Sequence, residues 1–168
     1  MNLYTNIVCA ATLAASLMIF AANIYADEKI DRVDMPSAVI YSFQREHSTA
    51  NVIGYWRIQE NSMTLYKVME TEQMKMVSLV YNAGGGLLKT IEESAVEMLP
   101  LEIIRSIGMK YPDEQVVETV KVMAGTNISY ETEMMRSDNS IHKVVFDLAG
   151  EIVSDKPVDV MIKSRMIW

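Results

Sequence analysis

The chain contains a single cysteine, Cys9, and no lysine or arginine before Lys29. Because Cys9 lies in an apolar N-terminal run, the rest of the chain has no thiol for a disulfide or a thiolate metal site. Basic residues are the minority, with 15 Lys and Arg against 22 Asp and Glu and a formal net charge of −7. Without a basic stripe, we expect no nucleic acid partner and no anionic lipid surface as partner. Packing alone must hold the fold.

The N-terminal run is typical of an export signal. Residues 7–26 are almost all apolar or small, and the first charged side chain is that of Asp27. A short apolar run that ends in a small residue, here Ala26, predicts a cleavable signal peptide over residues 1–26. The mature protein is then periplasmic or secreted, with no stable membrane embedding. A retained membrane anchor is the alternative, because the run is near the lower length limit of a spanning helix.

The sequence beyond the leader repeats itself with an offset of about 64 residues. Two pairs of segments carry the repeat: 35–40 with 99–104, and 80–88 with 145–153. The spacing predicts two units, residues 33–94 and 95–155, followed by a C-terminal segment, residues 156–168.

Each unit opens with a helix signal and continues with strand signals. Pro36 and Pro100 suit the first turn of a helix, where the missing N–H has no cost, and Asp34 can cap the first helix. After each helix the apolar period changes from 3.6 to 2, as expected on entering a sheet. Eight strands are predicted: 52–59, 63–70, 74–82, 86–91, 116–123, 127–134, 140–147 and 151–154. The predicted fold class is α+β, with two tandem repeats of a helix and a four-stranded antiparallel meander. Together they form one curved sheet with both helices on one face.

Three short motifs carry a resemblance to a known family. They are Lys110-Tyr111-Pro112 after the second helix, Tyr130-Glu131-Thr132-Glu133 in a strand, and Phe146-Asp147-Leu148-Ala149-Gly150 at a turn. With them, residues 33 to 154 resemble the tandem PepSY-like, or beta-lactamase-inhibitor-protein-like, secreted domains of bacteria. The first unit departs from the pattern, since His47-Ser48 replaces Tyr-Pro and Asn82 replaces the Asp. The resemblance implies an exported, non-enzymatic protein with helices on the convex side of the sheet. It also implies an open concave face that in some relatives binds another protein.

Aligning the two units assigns one face of each strand to the core beneath the helices. In the first unit this core set is Val52, Trp56, Ile58, Tyr66, Val68, Val77, Leu79 and Tyr81. In the second unit it is Val116, Val120, Val122, Tyr130, Thr132, His142, Val144 and Phe146. The alternate residues of the second unit are mostly polar: Thr119, Lys121, Ser129, Glu131, Glu133 and Lys143. Those of the first unit are largely apolar: Ile53, Tyr55, Arg57, Leu65, Lys67, Met69, Met74, Met76 and Val80.

An exposed patch with Tyr, Met and Arg is the usual composition of a binding surface. We therefore predict a partner-binding site on the concave face of the first unit, made of Tyr55, Arg57, Leu65, Lys67, Met69 and Met76. Three alternatives stay open. The C-terminal segment covers the patch, a second copy of the chain covers it in a homodimer, or the strand register slips by one residue.

Methionine suggests an alternative function. Four methionines have a spacing that suits Cu(I): Met63, Met69, Met74 and Met76. Methionine also fills cores and adaptable interfaces. An envelope sensor that binds a small ligand or a metal, copper or calcium, is therefore the alternative to a protein-binding module.

Catalytic signals are few. The chain has two histidines, His47 and His142, and no Gly-x-Ser-x-Gly or His-Glu-x-x-His frame. We predict no enzymatic activity, no cofactor and no resident metal. The leading expectation is an exported binding protein that engages a protein or peptide through the concave face, with inhibition of an extracellular enzyme as one version.

Overall fold

The computed structural model describes residues 27–158. The predicted signal peptide, and residues 159–168 of the C-terminal segment, lie outside the described residues. No helix within residues 27–158 is long and apolar enough to cross a membrane.

Residues 27–158 form two α-helices, two short 3-10 helices and one sheet of nine antiparallel strands. The helices are α1 (Ser37–Glu46) and α2 (Leu101–Lys110), preceded by 3-10 helices at Arg32–Asp34 and Val96–Met98. The strands are β1 (Glu28–Ile30), β2 (Asn51–Glu60), β3 (Met63–Glu72), β4 (Lys75–Tyr81), β5 (Leu87–Glu93), β6 (Gln115–Ala124), β7 (Asn127–Met135), β8 (Ile141–Asp147) and β9 (Ile152–Pro157). Their order in the sheet is their order in the chain. The predicted α+β class is confirmed.

All eight predicted strands are present, with bounds that differ from the prediction by three residues at most. The prediction omits β1, which pairs with the middle of β2, because three residues are too few for an apolar period to show. The predicted helix cap was wrong. Asp34 lies in the first 3-10 helix, and Pro36 is the N-cap of α1, without a side-chain cap bond.

Each helix packs on four strands through a buried apolar cluster. α1 covers the first half, residues 27–94, with Met35, Val39, Phe43, Val68, Val77, Leu79 and Tyr81 in its cluster. α2 covers the second half, residues 95–158, with Leu99, Ile103, Tyr130, Met134, Val144 and Phe146. Burial of a large apolar side chain stabilises a fold by about 1.5–3 kcal/mol. These two clusters therefore hold the helices to the sheet without any disulfide in residues 27–158.

Both helices lie on the same side of the sheet. The strand register shows this, because directly paired residues of antiparallel strands point to the same face. Val68 pairs with Leu79, Leu79 pairs with Thr90, and Thr90 pairs with Met123, so all four lie on one face. On β7 this face includes Tyr130 of the α2 cluster. The opposite face, called the open face below, carries no helix within residues 27–158.

Candidate functional site

A β-bulge in β2 decides which of its side chains reach the open face. Val52 and Gly54 pair with successive residues of β3, which leaves Ile53 as an extra residue. One extra residue reverses the alternation of faces in the rest of a strand. Beyond the bulge, Trp56 and Ile58 therefore lie on the open face, and their predicted place beneath the helices was wrong.

The same bulge moves two predicted site residues away from the open face. Tyr55 pairs with Val68 and packs against the α1 cluster. Arg57 lies on the helix side as well, where its Nη1 donates a hydrogen bond of 2.9 Å to Oε2 of Glu28. The predicted placement of Tyr55 and Arg57 on the concave face was wrong, because the register of β2 is shifted by one residue after Ile53.

β6 contains a matching bulge at Val117. As a result, Val120 and Val122 lie on the open face, and Thr119 and Lys121 lie on the helix side, the reverse of the prediction. The two bulges are about 64 residues apart, which is the offset of the sequence repeat. An alignment of one unit with the other cannot reveal them, because both units contain the extra residue.

The remaining predicted site residues lie on the open face, as do their neighbours on β4. Lys67 pairs with Val80, and Leu65 and Met69 share the face of Lys67 on β3. Met76 lies on the same face of β4 as Val80. β3 and β4 pair without a register shift, so the alternation read from the sequence holds there. Their role in binding stays a prediction.

A buried floor lies within the open face of the first half. Ile58, Leu65 and Val80 form an apolar cluster and are at most 8 % exposed. Trp56 and Ile91 pack against this cluster and are partly buried. The floor thus spans β2 to β5, and it is anchored by direct pairing of Ile58 with Leu65.

Trp56 lies flat beside the floor because Gly54 leaves room for its ring. A Cβ at Gly54 would lie 2.9 Å from Cη2 of Trp56. The ammonium groups of Lys29 and Lys67 lie 5.8 Å and 5.1 Å from the centre of the Trp56 ring, within cation–π range. Lys67 also forms an ion pair with Asp27. The indole therefore lies within cation–π range of one lysine on each neighbouring strand.

Two methionines of the open face lie next to this floor, and one of them is exposed. Met76 is 48 % exposed and Met69 is partly buried. Met74 does not belong to the open face, because it lies in the turn between β3 and β4 with φ of 68°. No group of three His, Cys, Asp or Glu residues between 27 and 158 could hold a metal ion.

Ion pairs border the apolar surface. One pair joins Lys67 to Asp27, and in the other Nζ of Lys89 donates a hydrogen bond of 2.8 Å to Oε2 of Glu60. An apolar centre with an aromatic and methionines inside a polar rim is the arrangement found at protein interfaces. The open face of the first half is therefore the candidate functional site.

The open face of the second half has a different character. Its best-defined contact is a hydrogen bond of 2.9 Å from Nζ of Lys143 to Oε2 of Glu131. Glu118 and Glu133 lie on the same face. Polar side chains on a sheet face without helices indicate ordinary solvation. Val120, Val122 and Val145 also lie on this face, but each is at least partly buried, whereas Met76 in the first half is 48 % exposed.

A second polar cluster lies on the helix side of the second half, around His142, which is 1 % exposed. Its Nδ1 lies 2.6 Å from Oδ1 of Asp155, and its Nε2 contacts a carboxylate oxygen of Glu114. The hydroxyl of Tyr111 donates a hydrogen bond of 2.9 Å to Oδ2 of Asp155. This network joins the exit of α2 to β8 and β9. Its members are far apart in sequence, so no motif spacing could reveal it.

The pKa values in this cluster reflect burial and hydrogen bonding. Burial and the bond to Asp155 raise the pKa of Tyr111 to about 12. Burial acts to raise the pKa of Asp155, but hydrogen bonds from His142 and Tyr111 outweigh it and hold that pKa below the usual range. The arrangement stabilises the carboxylate form of Asp155 and links the edge strand β9 to the rest of the second half.

We expect Asp155→Asn to reduce stability in a pH-dependent way. A carboxyl group whose pKa is depressed by folding stabilises the protein above its unfolded pKa, and that stabilisation is lost as the pH falls. Hydrogen bonds to charged groups contribute about 1.5–3 kcal/mol, and because Asp155 is a third exposed we expect about 1–2 kcal/mol at pH 7. Urea unfolding at several pH values should show the difference from the unchanged protein shrink as the pH falls below about 4, the ordinary pKa of an aspartate. Asp113→Asn, at an exposed site in the same loop as Glu114, is the control and should change little at any pH. A loss that persists unchanged in acid would contradict this assignment.

His47 belongs to a separate pair in the first half. Its Nδ1 lies 2.7 Å from Oε1 of the buried Glu70, and its ring stacks on Phe43 at 5.3 Å between centres. Burial raises the pKa of Glu70, and His47 opposes that rise. The two histidines thus lie in different clusters, one in each half.

Comparison with known proteins bears on the fold. No family model matches the chain, and no curated protein matches it. Among solved structures, a DUF2874 family protein from Bacteroides ovatus has a TM-score of 0.65 at 13% identity, over 80% of this chain and 98% of that one. A BLIP-like protein from Bacteroides fragilis has a TM-score of 0.61 at 14% identity, over 74% of this chain and 86% of that one. The chain has a BLIP-like fold.

A third similar structure is that of a candidate periplasmic protein from Bacteroides eggerthii. It has a TM-score of 0.65 at 11% identity, over 74% of this chain and 89% of that one. At such identities the likeness establishes a shared fold and nothing about activity. The BLIP-like part of the resemblance seen in the sequence is supported, whereas its PepSY-like part is not specifically supported.

Proposed function

We propose that this protein is an exported, non-enzymatic binding protein of the PepSY-like or BLIP-like type, which engages a protein or peptide through the open face of its first half. The observation that carries the proposal is the apolar surface made by the exposed Met76 and the partly buried Trp56 and Met69 above a buried floor, on the face opposite the helices. Inhibition of an extracellular enzyme is one version of this function.

The site in this proposal differs from the one expected from the sequence. Lys67, Met69 and Met76 remain, and Trp56 takes the place of Tyr55 and Arg57. Leu65 belongs to the buried floor beneath them and not to the contact surface. A periplasmic or secreted location is part of the proposal. It is supported by the apolar leader of residues 1–26 and by the candidate periplasmic protein of the same fold.

We also propose that residues 33–94 and 95–155 are two copies of one unit. Supporting features recur at the same offset: a Pro N-cap before each helix, at Pro36 and Pro100, and the bulges at Ile53 and Val117. On this view the binding surface developed in one copy and not in the other.

Site-specific photo-crosslinking tests the binding proposal. A photoreactive amino acid replaces Met76 on the open face or, as the matched control, Tyr41, which is 69 % exposed on α1. The proposal predicts that one discrete envelope or extracellular protein or peptide crosslinks from position 76 and not from position 41. Identical products from both positions, or a product of twice the chain mass from position 76 alone, would contradict binding of a different partner.

A further inference from the structure

Five directly paired residues form a row across the open face, from β1 to β5. In strand order they are Lys29, Trp56, Lys67, Val80 and Lys89, called the lysine row below. Lysines therefore occupy every second strand, with roughly 10 Å between neighbouring lysine backbones. Three cations in one row stand out in a chain whose formal net charge is −7.

The two sides of the lysine row differ in chemistry. Asp27 and Glu60, on one side, pair with Lys67 and Lys89. On the other side, Met69 lies two residues after Lys67 on β3, and Ile91 lies two residues after Lys89 on β5. Both pair directly with Ser78 of β4. Two apolar side chains, with Ser78 between them, thus border the lysines on the side away from their carboxylates.

One lysine of the row has no carboxylate partner within residues 27–158. Asp27 and Glu60 pair with Lys67 and Lys89, and Glu93 lies on the same face beyond Ile91, whereas Lys29 forms no ion pair in this part of the chain and contacts the Trp56 ring. Trp56 holds the ammonium groups of Lys29 and Lys67 near its ring, which limits their freedom before any partner arrives. Charges that are already positioned lose less conformational entropy on binding.

We infer that the open face takes an acidic protein segment, in which Asp or Glu lies beside an aromatic or aliphatic residue. The acidic side chains meet the lysine row at Lys29, and the apolar side chain packs on Met69, Ile91 and the exposed Met76. This inference rests on the proposed function of the open face and names the chemistry of its partner. An anionic lipid surface fits less well, because Glu118, Glu131 and Glu133 on the same face of the second half would repel it.

Selection from a display library of short random peptides tests this inference. The full chain, produced with its own leader and purified, is the bait, and each enriched peptide is then measured against Met76→Asp protein. Enriched peptides are expected to carry Asp or Glu within two positions of an aromatic or aliphatic residue.

A synthetic copy of an enriched peptide should bind Lys29→Gln protein about five- to tenfold more weakly, the effect of one lost charge pair of about 1 kcal/mol. Lys75→Gln removes an equal charge at an exposed position of β4 on the other face and should leave the affinity unchanged.

The outcomes separate this inference from the proposed function. Enriched peptides that lack acidic residues, or that bind Lys29→Gln as well as the unchanged protein, overturn the acidic partner and leave the open face as a binding site. Peptides that bind Met76→Asp equally well overturn the proposed function itself. No enrichment above the starting library overturns the inference, which states that a short segment is sufficient.

Discussion

Gly150→Ala should lower the free energy of unfolding by about 2–5 kcal/mol. Gly150 has φ of 77°, a conformation that costs a residue with a Cβ about 1–2 kcal/mol. The new Cβ would also lie 2.6 Å from the carbonyl oxygen of Glu102 in the first turn of α2, so the helix would have to move. Displacing a packed helix costs about 1–3 kcal/mol more.

The reason for this close approach is that the turn between β8 and β9 supports α2. The hydroxyl of Ser106 donates a hydrogen bond of 2.7 Å to the carbonyl oxygen of Gly150. Gly85, between β4 and β5, meets α1 in the same way, since its φ is 82° and its Cβ would lie 2.4 Å from the carbonyl oxygen of Ala38. We therefore expect a loss of similar size from Gly85→Ala.

Gly125→Ala is the matched control for both glycines. Gly125 also has a positive φ, of 59°, but apart from its chain neighbours no atom of residues 27–158 lies within 4 Å of its Cβ position. Only the conformational cost of about 1–2 kcal/mol applies there. Urea unfolding measures all three variants. Equal losses at positions 85, 125 and 150 would show that the turns do not support the helices.

Leu65→Asp is expected to cost at least about 3 kcal/mol and to leave little folded protein. Leu65 is 5 % exposed, between Ile58 and Val80 in the floor of the open face. A carboxyl group there loses its hydration without gaining a partner, which is among the most destabilising changes in a protein. Denaturant midpoints and the near-ultraviolet signal of Trp56 would report the loss.

Two further variants make this prediction decisive. Leu65→Ala keeps the site apolar and should cost about 2–4 kcal/mol through the cavity that it leaves. Met76→Asp introduces the same charge on the same face at a 48 % exposed position, and should change stability by less than about 0.5 kcal/mol. If Leu65→Asp and Met76→Asp proved equally stable, Leu65 would be a contact residue and not part of a floor.

The sequence was sufficient for the elements and their order. Pro36 and Pro100 marked the helix starts, and the change of apolar period from 3.6 to 2 located eight strands. These signals are local, so they survive without knowledge of the tertiary structure. The three-residue β1 was too short to produce such a signal.

The face of the sheet to which each side chain points was harder to predict than the bounds of the strands. β3 and β4 pair without a shift, and there the predicted positions of Lys67, Met69 and Met76 match the structure. In β2 and β6 one extra residue reverses the alternation of faces. In β2 this places Trp56 on the open face, where Tyr55 was predicted. A bulge carries no obligatory residue type, and comparison of the two units hides a bulge that both contain.

The central claim is that the open face of the first half binds a partner. The most direct measurement is the dissociation constant of the crosslinked partner for the unchanged protein, Met76→Asp and Tyr41→Asp. A charge placed in the apolar centre of an interface removes about 2 kcal/mol or more, so the account predicts at least about thirtyfold weaker binding for Met76→Asp and no change for Tyr41→Asp. Equal dissociation constants for the unchanged protein and Met76→Asp would place the partner elsewhere and contradict the claim.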